Sequence, residues 1–328
     1  MSNRVDLSII IPVYNVSKYI EECLTSLVQQ NNLSNCEIII VNDGSTDNSL
    51  EICEKFAGKY EYITILSQEN RGLGAARNFG ISHATGRYLG FVDSDDYIRK
   101  DMFSTMLNEA LKDDVDMVLC DIEMYFQALG KSKIIYLGLE ENTIYCGDEL
   151  LEQFLQKKIQ AFAWNKIYRR DLFCDIKYEE GLYYEDIYPM FNILCKVKKA
   201  KVINFPFYVY RQRPDNISSN VTNKHIEDFN LGMRKVNAAY RKYKNHNEKL
   251  LGSFNISYLS TSLDLYIKNK NFNTKKIYED YENIYCKLPK YSLPEIMFNK
   301  YLDFKYKRVY ILWVMKLLPF LKKIRYKN

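Results

Sequence analysis

Glu37-Ile-Ile-Ile-Val-Asn-Asp-Gly-Ser-Thr-Asp47 decides the fold. Four β-branched apolar residues in a row are too short a run for a helix and read as a buried strand. The strand stops in Asn42-Asp-Gly-Ser45, a turn composition, and Thr46 and Asp47 can open a helix. The same unit recurs on either side. Upstream, Leu7-Ser-Ile-Ile-Ile-Pro-Val13 is a second strand. Ser17 can cap a helix that carries Ile20, Cys23, Leu24, Leu27 and Val28 on one face. Downstream, a helix over 46–56, a strand over 62–66, a helix over 72–84 and a strand over 88–92 follow. Apolar strands alternating with helices predict a mostly parallel sheet flanked by helices, an α/β fold with function gathered at the carboxyl ends of its strands.

Beyond residue 100 the pattern is mixed. A helix over 101–112, a strand over 117–122 and a helix over 147–158 lead to the stretches 164–173 and 183–195. Two short β-like runs, 201–204 and 207–211, close the region. After Lys224 the chain reads as helices rich in Lys, Asn and Tyr. The expected domains are 1–223, with halves over 1–100 and 101–223, and a helical 224–328.

The 328 residues, 47% hydrophobic and 27% charged, have a globular and not a disordered composition. None of the eight cysteines forms a CxxC pair and there are three histidines, which argues against zinc and for reduced core thiols in a cytosolic protein. No signal peptide is legible, and no run reaches the ~18 apolar residues of a membrane span. The net charge of +5 is concentrated at one end. Residues 301–328 hold eight Lys/Arg against Asp303, a net of +7, which leaves −2 for the rest.

Three strand ends carry polar clusters: Pro12-Val-Tyr-Asn15, Asn42-Asp-Gly-Ser-Thr-Asp47 and Asp93-Ser-Asp-Asp96. Each alone reads equally well as a turn or a helix cap. Three at one edge of one sheet mark a site. Asp93 and Asp95 repel each other unless a cation lies between them. Mg²⁺ or Mn²⁺ favours such hard oxygen ligands and also binds phosphate, so an ion on Asp95 could neutralise a diphosphate leaving group. Asn70-Arg-Gly-Leu-Gly-Ala-Ala-Arg-Asn78 lacks the dinucleotide-binding glycine spacing, yet its small residues allow close backbone approach and Arg77 can fork onto phosphate.

Ile11-Pro-Val-Tyr-Asn15, Val41-Asn-Asp-Gly-Ser-Thr-Asp47, Asn70 to Asn78 and Phe91-Val-Asp-Ser-Asp-Asp96 together resemble the family 2 glycosyltransferases, over residues 5–215. The resemblance implies the GT-A, Rossmann-like fold and an inverting transfer from a UDP-sugar with a divalent metal. It implies that Pro12, Tyr14 and Asn15 line the nucleotide pocket, that Asp43 accepts from uracil N3, and that Asn70 and Arg77 hold the nucleotide. Asp93 and Ser94 would lie beside the ribose, with Asp95 the direct metal ligand and Asp93 near it. Tyr183-Tyr-Glu-Asp-Ile-Tyr188 resembles the family's Glu-Asp motif, which makes Asp186 the base and gives Glu185 a supporting role. Without the upstream motifs, helix-dipole carboxylates would explain that pair equally well. Trp164, Asn165 and Lys166 resemble a segment that shapes the acceptor site, although core burial suits the Trp as well. Tyr208-Val-Tyr-Arg-Gln-Arg213 resembles the closing segment, with Arg211 or Arg213 on the pyrophosphate. Some relatives place a metal-binding His there, and this chain has none.

The tail from Lys305 to Lys327 mixes aromatics, aliphatics and cations and suits an amphipathic segment on an anionic membrane surface, the alternative being a helix packed on the catalytic domain. No nucleic-acid module accompanies the charge. The expectation is a peripheral enzyme at the inner face of a bacterial membrane, acting on a lipid-linked glycan acceptor in capsule, exopolysaccharide or O-antigen assembly. Two rivals are a nucleotidyltransferase on a similar sheet and a non-catalytic nucleotide- or glycan-binding protein. The first lacks its Gly-rich basic loop after Val13, and the intact Asp93, Asp95 and Asp186 weigh against the second.

Overall fold

In a computed structural model, which describes residues 5–31, 35–213, 221–269, 293–302 and 304–314, β1 (Leu7–Val13) is buried along its whole length. It is apolar on both faces because it is central, with β2 (Cys36–Asp43) and β4 (Tyr88–Phe91) parallel on either side. β3 (Ile63–Gln68) extends the parallel set beyond β2. Helices α1 (Ile20–Val28), α2 (Ser49–Ala57) and α3 (Leu73–His83) connect these strands. This half matches the expected parallel pattern.

The sheet then turns mixed. Its order is β3-β2-β1-β4-β8-β6-β9-β5, with β7 (Lys131–Ile135) on β6. β8 (Lys166–Arg169) runs antiparallel to both β4 and β6 (Met117–Phe126), and β5 (Tyr97–Ile98) antiparallel to β9 (Ala200–Gln212). β6 and β9 are parallel. The two short β-like runs of the sequence are one 13-residue strand, β9. Its pairing with β6 skips between Cys120 and Ile122, opposite Asn204–Phe207, so Pro206 falls where no ladder donor is needed. α4 (Met102–Lys112), α5 (Gly147–Leu155) and α6 (Ile187–Leu194) complete the set.

The chain forms two compact units, residues 1–150 with 161–214, and residues 151–160 with 215–328. In the second, α7 (Asn223–Tyr240) opens on a capping box between Thr222 and His225. Asn247 caps α8 (Glu248–Lys268), accepting from the Lys249 and Leu250 amides at 3.0 and 3.2 Å. Every residue of α8 from Leu251 to Ser260 is buried, the mark of a central helix. Two short helices follow, α9 (Leu293–Met297) and α10 (Phe304–Val314), and Ile296, Leu302, Tyr306 and Tyr310 pack with Ile256. Among the described residues no helix is long and apolar enough to cross a membrane. Tail residues 315–328 lie outside the described residues.

Two local expectations change. Ser17 does not cap α1, because the helix starts at Ile20 and Tyr19 holds the cap position. Nor are all the thiols core residues: Cys23, Cys36, Cys53 and Cys120 are buried, but Cys146 and Cys174 are exposed.

Candidate functional site

The loops after β1 and β2 are joined by Asn15 and Asp47. Asn15 holds φ at 50°, and its Oδ1 accepts from the Thr46 and Asp47 amides at 2.8 and 3.3 Å. The Asp47 carboxylate accepts from the Ser17 and Ser49 amides, each at 3.0 Å. Desolvation pushes its pKa up, but the Ser49 and Ser17 bonds outweigh that and hold it down at about 2. Gly44 turns at φ 72°, and a Cβ there would stand 2.9 Å from the Asn70 amide nitrogen, so the β2 turn and the Asn70 loop meet backbone to backbone. Pro12 is buried in the sheet opposite Val41, while Tyr14 and Asn70 are exposed.

Asp43 is buried at the end of β2. Its carboxylate accepts from Gln68 Nε2 at 2.7 Å and from the Arg71 and Gly72 amides at 2.9 and 2.8 Å. It therefore fixes the loop that leads into α3. α3 begins close against the segment before α6: a Cβ on Gly74 would lie 2.5 Å from the Glu179 carbonyl oxygen.

The third strand end is held from β9. Tyr208 donates its hydroxyl to Asp96 Oδ2 at 2.8 Å and accepts from the Asp93 amide at 3.0 Å. Asp96, fully buried, also accepts from the Arg211 amide at 2.7 Å, and is thus a support under the loop and not part of its open face. Burial, then the charges of Asp95 and Asp93, raises its pKa well above the carboxylate range. Asp95 Oδ2 accepts two bonds from Arg213, from Nε at 3.0 Å and Nη2 at 2.7 Å. Ser94 is buried between the carboxylates. Arg211 holds the backbone of the same loop, its Nε donating to the Asp95 carbonyl at 2.9 Å, while its Nη2 pairs with Glu22 at 2.6 Å and its guanidinium lies 5.3 Å and 5.1 Å from the Tyr19 and Tyr97 ring centres. Of the two arginines, it is Arg213 whose guanidinium stands on the Asp95 carboxylate.

Arg77 joins the far parts of the site. Its guanidinium, 2% exposed, donates to Asp93 Oδ1 at 2.9 Å and to Glu185 Oε1, and stacks on the Tyr178 ring at 5.2 Å. Glu185 and Asp186 precede α6, and Tyr184 beside them holds φ at 58°, a strained conformation for a tyrosine. Asp186 occupies the cap position of α6 without a side-chain cap bond. Burial and the neighbouring Glu185 charge raise its pKa, against the pull of Arg77, to about 7.

Trp164 is core. Its ring is stacked at 4.1 Å on Tyr208 and at 4.6 Å on Phe162, both near parallel, so both faces are covered and none is open to a sugar. Asn165 donates to the Cys120 carbonyl at 2.8 Å. Lys166, fully buried, donates to the Phe162 carbonyl at 2.7 Å and Asn165 Oδ1 at 2.6 Å, and burial lowers its pKa to about 7. Direct acceptor contact by this trio gives way to support of β8 and β9 beneath the site.

Asp93 and Asp95 together fit a hard divalent cation. Their side chains are 22% and 23% exposed, and burial with mutual repulsion raises Asp95, the situation a cation relieves. Two Arg213 bonds fall on the same Asp95 oxygen, Oδ2. No cluster of three His, Cys, Asp or Glu forms among the described residues. Two carboxylates suffice for an ion that completes its shell with water and phosphate. Tyr178 and Glu22 carry no signal in the sequence, and neither does the bond of Tyr208 to Asp93, since each is an ordinary residue until folding sets it against Arg77, Arg211 or Asp93.

The glycosyl transferase family 2 model matches residues 8–176. The uncharacterized glycosyltransferase EpsJ of Bacillus subtilis is 36% identical over 219 residues, 65% of this chain and 62% of the relative. The putative glycosyltransferase EpsH of the same organism is 32% identical over 289 residues, 85% of this chain and 81% of the relative. The chain thus spans rather less than two thirds of the length of EpsJ. In three dimensions the fold is shared with S. aureus TarS 1-349 in complex with UDP-GlcNAc, at a TM-score of 0.74 and 22% identity over 97% of this chain and 89% of that one.

Proposed function

Since the chain belongs to glycosyl transferase family 2, we propose that it is an inverting, metal-dependent transferase that moves a hexose or N-acetylhexosamine from a UDP-sugar to a lipid-linked glycan acceptor. The setting is bacterial surface polysaccharide assembly, at the inner face of the membrane. One observation carries the reading. Arg77 binds Asp93, on the strand end where a diphosphate would be held, and Glu185, the neighbour of Asp186, through a single buried guanidinium. Donor and acceptor machinery therefore form one charge cluster.

Asp186 takes the proton of the acceptor hydroxyl as its oxygen attacks the anomeric carbon opposite the departing UDP, which inverts that carbon. A pKa near 7 suits a base at neutral pH. Glu185 and Arg77 keep Asp186 oriented. Asp93 and Asp95 would hold Mg²⁺ or Mn²⁺, which when bound neutralises the diphosphate. Arg213 fixes the Asp95 carboxylate. Asp43, Tyr14 and Asn70 stand at the donor edge, where a buried carboxylate suits an imide N–H and an exposed ring suits a base. The UDP-GlcNAc held by TarS, on the same fold, supports a UDP donor. The basic tail supports a membrane surface, and with it a lipid-linked acceptor.

The test is UDP release from a panel of UDP- and GDP-sugars with Mg²⁺ or Mn²⁺, with and without chelator. Chelator-sensitive release from a UDP-sugar is expected. Failure of UDP to bind in the presence of metal, measured by calorimetry, would overturn the reading.

A further inference from the structure

The helical unit leaves large apolar side chains in water at one corner. Met297, Phe298 and Phe304 are 51, 87 and 74% exposed, and the two Phe are the most exposed large apolar residues among those described. They are not part of the packed layer. Ile296, Leu302, Tyr306 and Tyr310 supply that, on Ile256. α10 is therefore two-faced: Tyr306 and Tyr310 point inward, while Phe304, Lys307 and Arg308 share the other side at helical spacings of three and four. Lys307 donates to the Met297 carbonyl at 2.7 Å, which ties the end of α9 to that outer side. Lys300, over the Tyr301 ring at 5.0 Å, lies between the two helices in the chain.

Apolar anchors beside cations, with little negative charge, fit one kind of surface. Residues 293–314 hold Lys300, Lys305, Lys307 and Arg308 against Glu295 and Asp303, and the remaining sequence adds five cations and no acid. A second copy would bring the same positive charge to the contact and be repelled. Protein interfaces are depleted in Lys at their centres, whereas anionic bilayers attract it and bury aromatic rings at the headgroup boundary. We propose that the α9–α10 corner is a docking face for an anionic lipid bilayer, with Met297, Phe298 and Phe304 inserting and Lys300, Lys307 and Arg308 on the lipid phosphates. This rests on the membrane-surface reading above and assigns the inserting side chains to this corner instead of residues 315–328.

The experiment uses the full chain with vesicles of equal phosphatidylglycerol and phosphatidylcholine, and with phosphatidylcholine alone. Wild type should co-float with the anionic vesicles only, and added salt should release it. Phe298→Ser with Phe304→Ser should lower partitioning at least about tenfold, with UDP release and thermal midpoint unchanged. Phe298→Trp should show a blue-shifted emission that brominated lipid quenches. Equal flotation of the double variant, or an unquenched Trp, would overturn the proposal and leave the membrane reading standing on the tail. No flotation of wild type would overturn both, while UDP release still reports the transferase. A dimer in light scattering that the double variant abolishes would show a second copy on this face and overturn the proposal.

Discussion

Arg77 is the residue on which the site's electrostatics turn, because one guanidinium offsets two inward-facing carboxylates. Removing it leaves Asp93 and Glu185 facing each other in a buried setting. Arg77→Ala should cost ~3–5 kcal/mol in urea denaturation, as expected for breaking a buried pair from one side. Arg77→Lys should recover only part of this, since one ammonium cannot fork onto both partners. Asp186 has a different signature. Its base role needs the ionised form, so transfer should fall as pH drops through about 7. Its effect on stability runs the other way. The native state keeps this proton up to about 7, whereas an unfolded Asp loses it near ~3.9. The group thus favours the fold fully below the lower value and loses that contribution as pH rises through the upper one. Asp186→Asn should lower transfer by ~10²–10⁴-fold, yet be more stable than wild type at pH 8 and not at low pH, in paired denaturation curves. Equal pH slopes would remove Asp186 as the titrating group.

At the scale of elements, the site is made where parallel strands end and α3 comes close. Asp43 and the Gly74 contact hold the start of α3 against the loop before α6. Gly74→Ala should force this contact apart and cost ~1–3 kcal/mol, seen as a lower thermal midpoint. It should also weaken UDP binding, because the Asn70 loop leads directly into that turn. Unchanged UDP affinity in the substituted protein would separate the loop from the donor site. The strand ends themselves were legible, since β-branched runs stopping in Asn, Asp, Gly and Ser carry their own boundary. The mixed half of the sheet was less so. β8 is four residues long, and β9 has a proline in its middle that splits its pattern in two. What joins them is pairing with β6, a partner remote in sequence.

On the scale of the whole molecule, a ligand that binds only the folded state must stabilise it. UDP with Mn²⁺ at about 100 times its dissociation constant should add ~2.7 kcal/mol, raising the thermal midpoint. Chelator should erase the shift, and Asp95→Ala should abolish it while remaining folded. A shift that survives in Asp95→Ala would place the ion elsewhere. By itself the sequence determined the alternating α/β order, the three polar strand ends, the Glu-Asp pair and the charged tail. These are local patterns of period, turn chemistry and spacing, written by neighbours along the chain. Tertiary structure alone decided which charges meet. Arg77 and Glu185 are 108 residues apart, Arg213 and Asp95 118 apart, and Arg211 and Glu22 189 apart. It likewise decided that Trp164 is closed between two rings and that Arg211 pairs with Glu22 while Arg213 takes Asp95's carboxylate. A side chain's spacing in sequence carries no record of its partner once the chain has crossed the sheet. Burial and pairing are properties of what folding packs around a residue.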